Sequence, residues 1–260
     1  MVALVRSELQ KLFTTRLWWI MLLVTLLFTG IGLGVTIGFA GQAPPGAPPT
    51  PGRETLEFQQ AVWASGTGSA IFVMVLGIVM MTGEYRYQTI TTTFLTTPRR
   101  GRVVTAKLAA GLLAGVLFGV ASLLLIAVAV IPTVLIAGGE VTLLGGGIPR
   151  IMLGVLATSA LYALFGIGLG ALVRNQIAAV VGAIVWVFVI ETLLTAIPAL
   201  QGVGKFTPSG AAQSLIAVQV DTGFGEADLL PAWAGATVLV AYALVFAVVA
   251  SLTTVRRDIT

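Results

Sequence analysis

The sequence contains no cysteine and no histidine, and only 9% of its 260 residues are Asp, Glu, Lys or Arg. The first two absences remove disulfides, Cys nucleophiles, Ser-His-Asp triads and metal sites built from Cys or His. They say nothing of redox compartment, because a chain without thiols tolerates any. The scarcity of charge excludes an ordinary soluble domain, in which about a quarter of residues are charged. Here 57% are hydrophobic, a membrane composition. The net charge of +4 is what loops beside anionic lipid require, so it does not argue for nucleic acid.

What fills the chain is six apolar stretches: Leu17–Ala40, Val62–Thr82, Thr105–Ile131, Ile151–Val173, Ile177–Ile197 and Trp233–Thr253. Each reaches the ~20 residues that cross a hydrocarbon core. The first, about 24 residues long, exceeds the apolar core of a cleaved signal peptide and reads as an uncleaved span. Six crossings put both termini on one face. The termini and the even-numbered connections carry Arg6, Lys11, Arg16, Arg86, Arg99, Arg100, Arg102, Lys107, Arg174, Arg256 and Arg257; the other connections carry only Arg53, Arg150 and Lys205. That bias of basic residues predicts cytoplasmic termini. The expected fold is an all-α, polytopic, six-helix membrane domain spanning residues 1–260, multi-pass in the plasma membrane.

Residues 1–16 read as a short amphipathic interfacial helix. Val2, Val5, Leu9, Leu12 and Phe13 recur at helical spacing, with Arg6, Ser7, Glu8 and Lys11 mostly opposite. The segment Gly41–Ala61 holds five of the eleven prolines and reads as an extended outside spacer without a packed core. Residues 198–232 form a long outside segment. Within it, Thr207-Pro208 supplies an N-cap and a first-turn proline for a short helix through Leu215, Ile216 and Val218. That helix is too short to span and is expected to be re-entrant or interfacial.

The cytoplasmic loop 83–104 is richer than a linker needs. It joins Glu84, Tyr85, Arg86 and Tyr87 to apolar Ile90, Phe94 and Leu95, then ends in Pro98-Arg99-Arg100. Ile90 and Phe94 lie four apart, one face of a helix. A docking helix with an apolar anchor and a basic tail uses these residues; so does an interfacial helix held at the headgroups.

Three further features carry chemistry or packing. Glycines recur every four residues at Gly30, Gly34 and Gly38 and at Gly111, Gly115 and Gly119, spacing that lets helix backbones approach and mostly serves packing within one chain. Glu191 is the one acidic residue inside a predicted span. It is expected to line an aqueous cavity, bind a cation or relay a proton, or else to be protonated or bonded to a neighbour. Gly202-Val203-Gly204-Lys205-Phe206-Thr207 resembles the end of a phosphate-binding loop, but Phe206 follows the lysine and position 199 is alanine, so the loop fails the motif.

Taken with Arg6-Ser-Glu-Leu-Gln-Lys-Leu running into Arg16-Leu-Trp-Trp, and above all Gly83-Glu84-Tyr85-Arg86-Tyr87-Gln88-Thr89 through Pro98-Arg99-Arg100 to Lys107-Leu108, the layout resembles the membrane subunit of an ATP-binding-cassette (ABC) transporter of the type-2 exporter permease superfamily. The resemblance implies that the loop after span 2 forms a coupling helix seated on a separate ATPase. Glu84, Tyr85, Arg86, Tyr87, Ile90 and Phe94 would then be the coupling residues, and the N-terminal helix would be the connecting helix beside them. It implies a second permease, identical or related, and a pathway lined by spans 2 and 5. ATP and Mg would sit on the partner, with no cofactor or catalytic site in this chain. Two rivals remain: an ion- or proton-coupled carrier working through Glu191, and a non-transporting membrane anchor or sensor subunit.

Overall fold

A computed structural model of the chain describes residues 1–43, 49–87, 100–173, 175–216 and 229–256. Among these there is no strand. The helices are α1 (Val2–Thr14), α2 (Leu17–Gly38), α3 (Leu56–Ala64), α4 (Ala70–Arg86), α5 (Arg100–Ile136), α6 (Ile148–Val173), α7 (Gln176–Val185), α8 (Thr192–Ala196), α9 (Gln201–Gly204), α10 (Pro208–Ile216) and α11 (Ala232–Arg256). Five stretches are long and apolar enough to cross a membrane: Leu17–Gly38, Leu56–Arg86, Gly101–Ile136, Ile148–Val173 and Gln176–Leu194. The protein is a multi-pass membrane protein. The sixth expected span falls in α11, whose described apolar part, Ala232–Phe246, is shorter than the other five.

At the centre α4 and α5 both pack against α6 and also touch each other. Lipid tails are as apolar as leucine, so helices here gain little from burial alone and depend on close backbone approach. Glycine provides it. A Cβ on Gly115 would stand 2.6 Å from the Ser159 carbonyl oxygen and 2.7 Å from the Ala160 Cα. Gly119 meets Leu156 and Gly111 meets the tip of Ile167, so these three glycines of α5 serve its contact with α6. Gly166 and Gly170 of α6 do the same against the Met74 and Ile78 carbonyls of α4. The matching stripe in α2 behaves differently: Gly30, Gly34 and Gly38 have no atom of the chain within reach of an added Cβ. Only 17% of the span windows of α2 and of Gln176–Leu194 is buried, against 61% for α6, which makes these two the flanks of the bundle.

The segment read as a spacer is only partly one. Its second half, from Leu56, is α3, capped by the Thr55 hydroxyl accepting from the Phe58 amide at 3.2 Å. Phe58, Val62 and Trp63 are buried against Ile126, Val130 and Val134 of α5 and Ile148, Ile151 and Val155 of α6. The buried Gln59 side chain donates to the Glu140 carbonyl at 2.9 Å and accepts from the Thr142 amide at 3.0 Å, clamping the α5–α6 connection. The proline-rich composition obscured an apolar pattern (Leu56, Phe58, Val62, Trp63) that begins just after it. A short 3-10 turn, Ser65–Thr67, then separates α3 from α4.

Replacing Gly115 by leucine forces α5 away from α6 backbone, whereas Gly34→Leu meets open space. Overpacking of this kind costs about 1–3 kcal/mol. The thermal midpoint of the purified protein is expected to fall for Gly115→Leu and to hold for Gly34→Leu. Equal losses would contradict the packing described.

Candidate functional site

Four charged side chains from three helices meet at the end of the bundle that carries the N-terminus. Glu84 sits in the last turn of α4, Lys107 near the start of α5, and Glu8 and Lys11 one turn apart on α1. Lys107 is almost fully buried, at 2% exposure, and Glu8 and Glu84 are nearly so. An ammonium has three protons to place. Those of Lys107 go to Glu8 Oε2 at 2.6 Å, Glu84 Oε1 at 3.1 Å and the Met80 carbonyl at 3.3 Å. Lys11, half exposed, bridges the same two carboxylates at 2.6 and 3.0 Å. Two carboxylates thus face two ammonium groups, and the cluster is neutral as a whole.

That balance shows in the proton affinities. Burial alone would raise the Glu8 carboxyl, but the attraction of Lys107 and hydrogen bonds from Lys107 and Lys11 outweigh it and hold the group below its ordinary value. Burial pulls the Lys11 ammonium down; the hydrogen bond to Glu8 and the attraction of Glu84 and Glu8 raise it above its ordinary value.

The helical spacing of residues 1–16 places Glu8 with the outward polar residues. In the structure α1 turns Glu8 and Leu12 inward, while Val2 and Phe13 are exposed. Buried lysine 107, far along the chain, decides the rotation, and nothing within residues 1–16 signals it. Of the other residues expected to couple to an ATPase, Tyr85 is half-buried beside Met81, Ile167 and Ala171. Arg86 reaches Gln176 Oε1 at 3.4 Å, and its guanidinium lies 5.7 Å from the centre of the Tyr87 ring. Tyr87 is 71% exposed. Ile90 and Phe94 lie outside the described residues. Glu84 is therefore set apart from Arg86 and Tyr87: its carboxylate points into the bundle, theirs is the open surface.

A second polar cluster lies near the middle of α6. Glu191 is 2% exposed and ends a π-helical turn, Trp186–Glu191, that interrupts the fifth span. The Trp186 indole N–H donates to Glu191 Oε1 at 2.8 Å, and the Ser209 hydroxyl donates to Oε2. The Tyr162 hydroxyl of α6 lies 3.2 Å from Ser209 Oγ. In a regular α-helix, residues five apart point roughly 140° away from each other. The wider i→i+5 turn brings Trp186 and Glu191 onto one side, so α-helical periodicity concealed this contact. Ser209 opens α10, whose N-terminus is capped by Thr207 Oγ1 accepting from the Gly210 amide at 3.2 Å, as the Thr207-Pro208 pair predicts.

The Gly202–Thr207 stretch falls in the short α9 and the turn after it, where the Lys205 ammonium lies 5.9 Å from the Phe206 ring centre. Among the described residues no three His, Cys, Asp or Glu side chains come together as a metal site.

Removing one partner from a buried ion pair typically costs about 3–5 kcal/mol, so Lys107→Met is expected to release α1 from α4 and α5. A nitroxide on a Leu9→Cys variant should gain mobility in that background. The same probe reads the pH dependence. The Glu8 contribution is complete above the ordinary Glu value of about 4.3 and disappears as pH falls through its lowered folded value; that of Lys11 is complete below the ordinary Lys value of about 10.4 and disappears as pH rises through its raised folded value. Docking of α1 should therefore persist across neutral pH and fail in strong acid. Unchanged mobility in Lys107→Met would remove the cluster as the anchor of α1.

Comparison with known families gives one match: the family model described as ABC-2 family transporter protein, over residues 4–190. It takes in the whole ion cluster and stops one residue short of Glu191. Comparison with curated proteins gives no match. Since the family model covers well over half of the sequence, this chain belongs to the ABC-2 transporter family and is a membrane transport component.

Proposed function

We propose that the chain is the permease subunit of an ATP-driven exporter, moving a hydrophobic or amphipathic substrate by alternating access. The energy comes from a separate ATPase that carries ATP and Mg, and a second permease, identical or related, completes the pathway. In this reading the termini and the 83–104 loop face the cytoplasm, following the distribution of basic residues.

The observation that carries the coupling role is the ion cluster. The helices on either side of residues 88–99, α4 and α5, are fastened to α1 through Lys107, Glu8 and Glu84. A push on the intervening loop therefore reaches three helices as one body. Rigid-body movement of this kind shifts the balance between inward- and outward-open states. Division of labour among the coupling residues follows. Arg86 and Tyr87, on the surface, contact the ATPase together with Ile90 and Phe94, while Glu84 and Tyr85 pass the movement inward.

Isolation of the protein from its native membrane in mild detergent is expected to yield a stoichiometric partner with a phosphate-binding loop. Arg86→Ala and Tyr87→Ala should lower stimulation of that ATPase several-fold with α1 still docked. Glu84→Ala should lower stimulation and loosen α1 together. Intact complexes that contain no ATPase would overturn the reading in favour of a carrier.

A further inference from the structure

Glu191 and α10 take no part in that coupling. The chain leaves the fifth span at Leu194, within α8, passes through α9 and re-enters the bundle. It turns at Phe206–Ser209 beside Tyr162 and Tyr242, with Thr207 and Pro208 buried. From there α10 runs back along α6, with Leu215 and Ile216 touching Gly154. Its nine residues are far too few to span, so what holds it in place is contact with its neighbours.

Those contacts are of two kinds. Most of the packing is between small groups: Gly235 of α11 rests against Ala211 and Ser214, and Gly210 rests against Gly204 and Lys205. Ala211 and Ala212 complete the face against α4, α6 and α11. Such side chains fit closely but offer few atoms each for dispersion attraction. The second kind is polar and directional. The Ser209 hydroxyl is bonded to Glu191 on one side and meets Tyr162 on the other, and the Tyr242 hydroxyl donates to the Phe206 carbonyl at 3.1 Å. Since Ser209 gives its only proton to Glu191, Tyr162 is the donor to Ser209. The result is a directed chain, Tyr162 to Ser209 to Glu191, with Trp186 donating to the other carboxylate oxygen.

The π-turn belongs to this arrangement. Such turns are rare and recur at functional sites. This one aims Glu191 at the start of α10, while Trp186, brought to the same side, supplies the second donor. A buried carboxylate and a distorted turn therefore serve one end: they hold the start of a short, small-residue helix, whose far end is tied separately by the Leu230 amide donating to Ser214 Oγ at 3.2 Å.

We propose that Glu191 is a positioning residue acting as the latch of a re-entrant gate. It fixes the Phe206–Ile216 segment to the fourth and fifth spans at rest, and this tie must break for substrate to pass. The proposal rests on the transport reading but differs from ion coupling in what it asks of Glu191. A latch needs hydrogen-bonding capacity and not charge. In Glu191→Gln the amide oxygen accepts from Trp186 and the amide N–H donates to Ser209, so the tie survives; in Glu191→Ala it is gone.

The chain has no native thiol, so Ala212→Cys, buried at 5% exposure, is a clean reporter of α10 lifting off. The experiment is the rate at which a water-soluble maleimide labels position 212 in the purified full chain, without nucleotide. Loss of a buried hydrogen bond should raise the rate several-fold, up to about tenfold, in Glu191→Ala and Ser209→Ala, and leave Glu191→Gln near the parent. Labelling of all variants at the parent rate would overturn the latch. Fast labelling in Glu191→Gln as well would show that charge is what matters. Should Glu191→Ala fail to accumulate, Ser209→Ala, which removes one hydroxyl, decides alone. No ATPase takes part, so failure of the latch and failure of the ATPase reading are separate results.

Discussion

An ammonium group taken out of water must have each of its protons accepted, and Lys107 imposes that demand on everything around it. The three acceptors come from α1 and α4, while the lysine itself belongs to α5. The N-terminal helix therefore cannot float independently at the membrane surface; its rotation, its inward face and the closeness of α4 to α5 all follow from one buried charge. Desolvation makes such a cluster a poor source of net stability, yet an effective way to specify which helices move together.

Much of the fold is legible in the residues because apolar runs and basic flanks report directly on helix length. Leu17, Val173 and Gln176 bound helices within a residue or two of the expected limits. What escapes is set by partners distant in sequence. The inward turn of Glu8 depends on Lys107, about a hundred positions away. The burial of Phe58 and Trp63 depends on the far ends of α5 and α6, and their proline-rich preface disguises it. The meeting of Trp186 with Glu191 depends on a turn that breaks the very period by which helical faces are read. Glu191 itself is conspicuous as a carboxylate in an apolar run, but Ser209 and Tyr162, which define its surroundings, are ordinary residues until the chain is folded.

The two polar clusters divide the molecule along its length. One joins helix ends beside residues 88–99 through full charges; the other joins a broken span to a short helix through hydroxyls, an indole and one carboxylate. Between them run α4, α5 and α6, drawn close by Gly77, Gly111, Gly115, Gly119, Gly166 and Gly170. A core of that kind bends little, so displacement at one end has a direct route to the other. The two flanks, α2 and the fifth span, are free of that constraint.

The short helix α10 also has a consequence for how the protein is made. Nine residues cannot be recognised by the insertion machinery as a span, so Pro208–Ile216 reaches its place only by docking onto helices already in the bilayer. Its bed is formed partly by Gly235 and Leu239 of α11, which emerge from the ribosome after it. The segment must therefore wait outside the bundle until α11 arrives, and its seating follows the insertion of that helix.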